Sequence, residues 1–288
     1  MTYDLNGKVV LVTGGARGIG LAVAQAAYGR GASVALVDLD ESIAAESAGT
    51  IGDRTIGIGA NVADREQIEA AFTRTIERFG KVDVVIANAG IAPETTSTLA
   101  IPADEWERVL EVNLLGVWRT VRAGMEQVIT NQGQFVLVSS SYAFMNGVVN
   151  SSYATAKAGV EAFGRSLRIE LTAHGASATV AYFGWITTDM VTTAFSDPIV
   201  SRMRKLAPAF LTRQIRASKA GEAVIDGIER RDPRIVVPFE YKVFLYLRGL
   251  AGPFMDWRFQ RDPRVAAIVR DAERLTEERV NPSGEAGG

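Results

Sequence analysis

Residues 8–20 decide the fold of this 288-residue chain, and they read Lys8-Val9-Val10-Leu11-Val12-Thr13-Gly14-Gly15-Ala16-Arg17-Gly18-Ile19-Gly20. After Lys8 the run to Thr13 is mostly apolar and β-branched, which is typical of a short parallel strand buried on both faces. The glycines follow at once and lead into a helical pattern, so the segment predicts a strand, a tight turn and a helix start. Glycine-rich turns are often only turns. This placement favours a dinucleotide site, where bare backbone N–H groups approach a pyrophosphate at Gly14, Arg17, Gly18, Ile19 and Gly20.

An acidic residue stands where the second predicted strand, residues 33–37, ends. Asp38 lies eighteen residues beyond Gly20, close to the separation at which an acid binds the adenosine ribose in dinucleotide-binding folds. A 2′-phosphate there would meet a like charge, at a cost on the order of a few kcal/mol. We therefore expect NAD rather than NADP, with Leu39 beside the same adenosine. Arg17 argues against this preference for NAD, because a cation in the glycine loop can attract a phosphate.

Apolar runs alternate with helical patterns along the whole chain. Further strands are predicted at residues 55–62, 82–87, 134–138, 178–182 and 234–237, and the helices between them include one capped by Asp64 and one over residues 104–131. This alternation predicts an α/β fold, a Rossmann-type doubly wound parallel sheet of about seven strands flanked by helices in a single domain. Ligands bind such sheets at the carboxyl ends of the strands. The residues at those ends are Asp38, Asn61, Asn88, Ser140 and Gly184.

The most reactive pattern is Tyr153-Ala154-Thr155-Ala156-Lys157, thirteen residues after Ser140. Residues four apart share one face of a helix, so the phenol and the ammonium can point into one site. A free tyrosine keeps its proton to about pH 10, and we expect the Lys157 cation, together with a nicotinium ring in the same cleft, to lower that pKa until Tyr153 exchanges a proton with a substrate oxygen. Ser140 would donate a second hydrogen bond to that oxygen. Such pairs also arise by chance on surface helices, so the spacing alone does not establish catalysis.

Composition excludes several other mechanisms. The chain has no cysteine, one histidine and a formal net charge of -2. We therefore expect no disulfide, no metal site and no nucleic-acid surface. His174, just before Gly175, is interpreted as a structural residue at a helix C-terminus. No apolar run reaches the length of a membrane span, and the first residues lack a signal-peptide pattern, so a cytoplasmic location is expected.

With these motifs in order, the chain resembles the short-chain dehydrogenase/reductase family over about residues 5–235. Thr13-Gly14-x-x-x-Gly18-Ile19-Gly20 is similar to the family's cofactor loop, and Ala87-Asn88-Ala89-Gly90 to its central-strand motif. Ser140 with Tyr153-x-x-x-Lys157 is similar to its catalytic set. The resemblance implies that Asn113 completes a catalytic tetrad, and that Lys157 also orients the nicotinamide ribose.

The same resemblance implies the rest of the cofactor site. Asn61 and Val62 would line the adenine, and Asn88, Ala89 and Gly90 would pass beside the adenosine ribose. Gly184, Ile186 and Thr188 would hold the nicotinamide carboxamide, although Phe183 stands where the family usually has proline. In relatives the helices carrying Asn113 and Tyr153 pair across a two-fold axis, which implies a homodimer or homotetramer.

Two segments fall outside the cofactor motifs. Residues 188–217 occupy the place of a substrate lid within a catalytic domain of residues 1–238. Apolar side chains there and near the catalytic set predict a bulky, hydrophobic substrate. The predicted substrate contacts are Ser140, Phe144, Tyr153, Trp185, Met190 and Phe195.

The second segment, residues 239–280, predicts a helical extension longer than the family's usual C-terminus, followed by a disordered end at residues 281–288. The extension is interpreted as a helix packed on the body or on a second subunit, as a lid over the substrate, or as a membrane-surface helix. Packing on a second subunit would block or replace one of the family's interfaces.

Together these features predict an NAD(H)-dependent oxidoreductase that interconverts a secondary alcohol and a ketone. The substrate is expected to be terpenoid, steroid, aryl-alkyl or lipid-derived. A dinucleotide-binding sensor or scaffold without chemistry is the alternative. An epimerase is disfavoured, because it would bring a larger sugar-nucleotide domain.

Overall fold

The computed structural model describes residues 2–280. Within this range, nine strands and eleven α-helices follow one another. The strands are β1 (Val9–Thr13), β2 (Ser33–Asp38), β3 (Thr55–Gly59), β4 (Val84–Ala87), β5 (Gln134–Ser140), β6 (Ser177–Phe183), β7 (Ile186–Thr187), β8 (Ile215–Arg216) and β9 (Arg234–Val237). The helices are α1 (Gly18–Gly29), α2 (Glu41–Ile51), α3 (Arg65–Phe79), α4 (Ala103–Leu110), α5 (Gly116–Thr130), α6 (Ser151–Glu170), α7 (Asp189–Ser196), α8 (Pro198–Arg204), α9 (Ala217–Glu229), α10 (Tyr241–Arg261) and α11 (Pro263–Val280).

Seven parallel strands form one sheet in the order β3-β2-β1-β4-β5-β6-β9. Alternate residues of β1 face opposite sides, so that Val10 and Val12 join one core layer and Leu11 joins the other. Helices cover both layers, which is why the strands are apolar on both faces. The prediction of a single-domain, doubly wound α/β fold is confirmed. The strand order reverses between β1 and β4, which brings the ends of these strands together in one crevice.

Local capping agrees with the sequence patterns. The Asp64 carboxylate accepts a hydrogen bond from the Gln67 N–H and begins α3. A short 3₁₀ segment, Leu171–His174, ends the α6 region, and Gly175 follows it in the left-handed conformation, with φ of 68°. The helix predicted over residues 104–131 differs from the structure, because a π-helical turn, Glu111–Leu115, separates α4 from α5. Asn113 lies inside that turn, and π-turns commonly mark functional sites.

The two-residue strands β7 and β8 pair in parallel and bracket the predicted lid. Between them lie α7 and α8, followed by a 3₁₀ turn, Ala209–Leu211. Asp197 begins α8 by accepting a hydrogen bond from the Ile199 N–H. The two ends of the segment are therefore held next to each other.

The chain continues after β9 into two long helices. The inner face of α10 buries Tyr241 and Leu245 against β6 and β9 residues. The buried Ile268 and Ala272 of α11 pack with Val149 and Ile199. Among residues 2–280, no helix is both long and apolar enough to cross a lipid bilayer. The prediction of a disordered end concerns residues 281–288, which lie outside the described residues.

Candidate functional site

The glycine loop after β1 is held by the end of β4. The Asn88 side-chain amide donates to the carbonyl oxygens of Thr13 and Gly14, at 3.0 Å each. A Cβ placed on Gly14 would lie 2.9 Å from the Ala89 Cα, and one on Gly20 would lie 2.0 Å from the Gly14 oxygen. Only glycine fits either position, because the backbones approach too closely for a side chain. The two motifs therefore form one structural unit.

The start of α1 is suited to binding an anion. Arg17 precedes the helix, and no side chain of the described residues caps it, so its first N–H groups are available to a ligand. The Asp38 carboxylate stands at the end of β2 and accepts hydrogen bonds from the Ala16 N–H at 3.0 Å and the Leu39 N–H at 2.9 Å. These residues fit a dinucleotide, with N–H groups for the pyrophosphate and a carboxylate for the ribose.

Other predicted cofactor residues border the same crevice. The Thr188 methyl group lies against the glycine loop, since a Cβ on Gly18 would be 3.1 Å from it. The Thr188 hydroxyl caps α7 by accepting from the Val191 N–H, and the Ile186 side chain is buried in the core. Near the position predicted for the adenosine, the Asn61 oxygen accepts a hydrogen bond from the Ala63 N–H.

Tyr153 and Lys157 lie on one face of α6, as predicted from their spacing. The Lys157 ammonium is 5.5 Å from the centre of the Tyr153 ring. The ammonium is buried and donates to the Val138 oxygen on β5 at 3.0 Å. The neighbouring Ser139 hydroxyl donates to the Lys157 carbonyl oxygen at 2.8 Å, so β5 fixes both ends of this residue.

Ser140 ends β5 beside the phenol. Its hydroxyl donates to the Phe183 oxygen and accepts from the Tyr142 N–H, at 3.3 Å in each case. These long hydrogen bonds leave the hydroxyl free to exchange partners with a substrate oxygen. The Tyr142 ring meets the Tyr153 ring edge to face, with 5.9 Å between centres.

Asn113 is fully buried and joins the π-turn to the loop after β4. Its amide oxygen accepts from the Ile91 N–H, and its amide nitrogen donates to the Ile91 oxygen, each at 2.8 Å. A Cβ on Gly90 would lie 3.0 Å from the Asn113 oxygen and 3.6 Å from the Lys157 nitrogen. Gly90 therefore lets Asn113 and Lys157 approach one another.

The electrostatics differ from the sequence-based expectation for Tyr153. Burial raises the pKa of Tyr153 to about 12, and only the Ser140 hydroxyl acts in the opposite direction. Burial also lowers the pKa of Lys157 from 10.5 to about 8. Desolvation thus outweighs the attraction that Lys157 was expected to exert, and at neutral pH Tyr153 is a protonated donor beside a charged lysine.

The predicted substrate residues divide into two groups. Trp185 and Phe195 contact each other, with ring centres 4.9 Å apart, and Met190 is exposed nearby on α7. Phe144 instead packs on Tyr182, 5.8 Å between centres, in the cluster that contains Tyr241 of α10. A cavity of about 360 Å³ adjoins the start of α6, lined by residues that include Ser97, Asn146 and Thr155. Ser140, Tyr153 and Lys157 do not belong to its lining.

Tyr241 was missed by the sequence analysis. Its hydroxyl donates to the Leu211 oxygen at the end of the lid, and a Cβ on Gly184 would lie 2.4 Å from its ring. Position 184 therefore has to be glycine, because the Tyr241 ring of the extension occupies the space of a side chain there. No sequence pattern links these positions, whereas Tyr142 could have been found from its place between Ser140 and Tyr153.

This chain resembles known proteins in sequence. Residues 8–198 match the profile of a family described as short chain dehydrogenase. A 3-oxoacyl-[acyl-carrier-protein] reductase of Vibrio cholerae is 35% identical over 67% of this chain and 79% of that protein. An L-rhamnose 1-dehydrogenase (NAD(P)(+)) of a Sphingomonas species is 36% identical over 65% of this chain and 75% of its own.

Solved structures share this fold. A short chain dehydrogenase/reductase from Burkholderia phymatum in complex with NAD matches with a TM-score of 0.76 at 21% identity, covering 91% of this chain and 98% of that chain. A 3-ketoacyl-(acyl-carrier-protein) reductase from Brucella melitensis complexed with NADH matches with a TM-score of 0.70 at 25% identity, covering 81% and 97%. The predicted resemblance is confirmed, and the chain belongs to the short-chain dehydrogenase family of oxidoreductases.

Proposed function

We propose that this oxidoreductase interconverts a ketone and a secondary alcohol by hydride transfer with NAD(H). The observation that carries the proposal is the convergence of Tyr153, Lys157 and Ser140 at the end of β5, beside the glycine loop. When bound, the dinucleotide supplies or accepts the hydride at its nicotinamide ring. The protein then has to bind the carbonyl oxygen, give it a proton and keep the reactants aligned.

In the reduction direction, Tyr153 donates its proton to the carbonyl oxygen while Ser140 donates a second hydrogen bond. A phenol with a pKa of about 12 is fully protonated at neutral pH, which suits a proton donor. Lys157 holds a buried positive charge that stabilises the phenolate left behind. Asn113 acts by fixing the loop after β4 next to Lys157. Oxidation uses the same groups in reverse.

The preference for NAD(H) rests on Asp38. Its carboxylate is at the end of β2 and repels the extra phosphate of NADP(H). The NADH-bound Brucella melitensis relative supports this choice, while the name of the Sphingomonas enzyme covers both cofactors.

A hydrophobic substrate is proposed from the apolar residues near the site. Trp185, Met190 and Phe195 lie on or before α7, and the 3-oxoacyl group named for the Vibrio cholerae relative is a ketone on an acyl chain. We place the lid at residues 188–217 of a catalytic domain that spans residues 1–238. We also propose a homodimer or homotetramer in the cytoplasm, with residues 239–280 as an accessory extension.

A panel of hydrophobic ketones and secondary alcohols, assayed with NAD(H) and NADP(H), tests this function. Tyr153→Phe should lower turnover by roughly a hundredfold to ten-thousandfold, because the proton donor is lost. NADH binding, followed by cofactor fluorescence, should change less than about twofold. Tyr246→Phe, at an exposed position on α10, is the matched control and should keep full turnover.

The alternative is a sensor that binds the dinucleotide without chemistry. It would show a cofactor fluorescence change but no turnover with any member of the panel. Normal turnover by Tyr153→Phe would refute the role assigned to the phenol.

A further inference from the structure

The helix α10 has two apolar faces. Tyr241 and Leu245 lie on its inner face and are 3% and 5% exposed. Arg248, on the same side, forms an ion pair with Glu161 of α6 at 2.6 Å. The opposite face carries a second set of large apolar side chains, which we call the outer stripe. It consists of Val243, Tyr246, Leu247, Leu250, Phe254 and Trp257.

The outer stripe is continuous and exposed. Tyr246 and Leu247 are adjacent and the other steps are three or four residues, so at 100° per residue the six side chains occupy an arc of roughly 100° around the helix. Each is between 53% and 78% exposed. Together they present on the order of 700 Å² of apolar side chain, above the roughly 300–600 Å² of the largest patch on a typical monomer. A surface of this kind indicates an interaction site.

Cations surround the outer stripe. At 100° per residue, Arg258 lies just beyond one edge of the stripe, Lys242 beyond the other, and Arg261 in line with its C-terminal end. The Arg261 guanidinium lies 4.9 Å from the centre of the Trp257 ring. The charged residues of α10 are Lys242, Arg248, Asp256, Arg258 and Arg261. The helix therefore carries +3, while the chain as a whole carries -2 and the remaining residues -5.

This charge distribution distinguishes between two occupants. In an antiparallel pair of α10 helices centred on Leu250, Lys242 of one copy would face Arg258 of the other, and like charges oppose such a pairing. An anionic lipid surface instead attracts all the flanking cations, while aromatic and aliphatic side chains enter the boundary between headgroups and acyl chains. We propose that α10 binds the surface of anionic membranes through its outer stripe, lying in the plane of the interface.

Vesicle flotation tests the proposal with the full chain. The wild-type protein should float with vesicles of phosphatidylcholine and phosphatidylglycerol at low salt, and more weakly with phosphatidylcholine alone. Leu250→Glu should lower the apparent affinity for the mixed vesicles about tenfold or more. The matched control is Leu99→Glu, since Leu99 is a solitary leucine that is 86% exposed, and it should bind like the wild type. Neither change touches the proposed catalytic groups, so turnover should stay unchanged.

Fluorescence supplies an independent measurement. Tryptophan emission should shift to shorter wavelength with anionic vesicles, and Trp257→Phe should remove most of that shift. Failure of the wild type to bind anionic vesicles would overturn the proposal, as would equal binding by Leu250→Glu. An oligomer that Leu250→Glu dissociates, with no vesicle binding by the wild type, would overturn it and assign the outer stripe to a second copy.

Discussion

The cofactor side and the C-terminal extension differ in the hydrogen bonds that hold them in place. On the cofactor side, side chains bind backbone groups, as Asn88 does with Gly14 and Asp38 with Ala16. The extension has one such bond, from Tyr241 to the Leu211 oxygen, and in addition pairs of side chains, among them Arg248 with Glu161 and Thr276 with Thr96. Truncation leaves neutral carbonyl oxygens unpaired at Asn88, but it leaves a buried carboxylate unpaired at Arg248. Because an unpaired buried charge costs more than an unpaired neutral group, truncation should cost more at Arg248 than at the candidate active site.

The largest expected effect follows from removing Arg248. The Glu161 side chain on α6 is only 5% exposed, and Arg248 is its close partner at 2.6 Å, with Arg165 farther away at 3.9 Å. Arg248→Ala would leave a buried carboxylate with one distant cation. We expect the free energy of unfolding to fall by about 2–3 kcal/mol, less than for a fully buried pair because Arg248 is partly exposed. Urea denaturation at pH 7 measures this change.

Two further variants sharpen the comparison. Arg248→Met combined with Glu161→Gln removes both charges and should recover most of the lost stability. Arg274→Ala breaks an ion pair with Glu278 on the exposed face of α11 and should have no measurable effect. Equal losses for Arg248→Ala and Arg274→Ala would show that burial of Glu161 does not matter.

Replacing Lys157 should change the free energy of unfolding in the opposite direction and stabilise the protein. Its buried ammonium has only the Val138 carbonyl as an acceptor among the described residues, and burial lowers its pKa from 10.5 to about 8. Holding this charge at pH 7 costs about 3 kcal/mol. Lys157→Met removes that cost together with one hydrogen bond. We expect a net stabilisation of about 2 kcal/mol at pH 7, with loss of turnover.

The pH dependence of stability tests whether burial of the Lys157 charge causes the stabilisation by Lys157→Met. Between about pH 8 and 10.5 the unfolded chain holds the Lys157 proton while the folded protein has released it, so this group makes wild-type stability rise with pH. The advantage of Lys157→Met should therefore be full below pH 8 and nearly absent at pH 10. Lys219→Met, at an exposed position of α9, should show no such trend. A constant advantage, or none at pH 7, would contradict burial of the charge as its source.

The sequence contained enough information for the sheet and for the groups near its carboxyl edge. Strand runs such as residues 9–13 are short and apolar because both their faces are buried. Asp64 marks the start of α3, because its carboxylate accepts a hydrogen bond from the N–H of Gln67, three residues farther along the chain. The spacing of Tyr153 and Lys157 predicts a common face by helix geometry alone. These predictions succeed because each depends on contacts within one element or one turn.

The rest depends on distant contacts. The bond between Thr96 and Thr276 joins positions 180 residues apart. Tyr241 reaches the lid and Gly184 because β9, which precedes it, pairs with β6. Phe144 also packs in the hydrophobic cluster that contains Tyr241, a residue far from it in the sequence. The pKa of Tyr153 was expected to fall because Lys157 was visible in the sequence, whereas the burial that raises it became apparent only in the folded protein.

The smallest predicted effect concerns Asp38, where charge and backbone support can be separated. Asp38→Asn keeps a side-chain oxygen for the Ala16 N–H, so the glycine loop and the stability should change little. The negative charge is lost, and the preference for NAD over NADP in kcat/KM should fall about tenfold, equivalent to about 1.4 kcal/mol. Asp40→Asn is the matched control, because Asp40 is exposed, caps α2 and keeps an accepting oxygen. It should leave the ratio within about twofold. An unchanged ratio in Asp38→Asn would mean that the carboxylate supports the loop without selecting the cofactor.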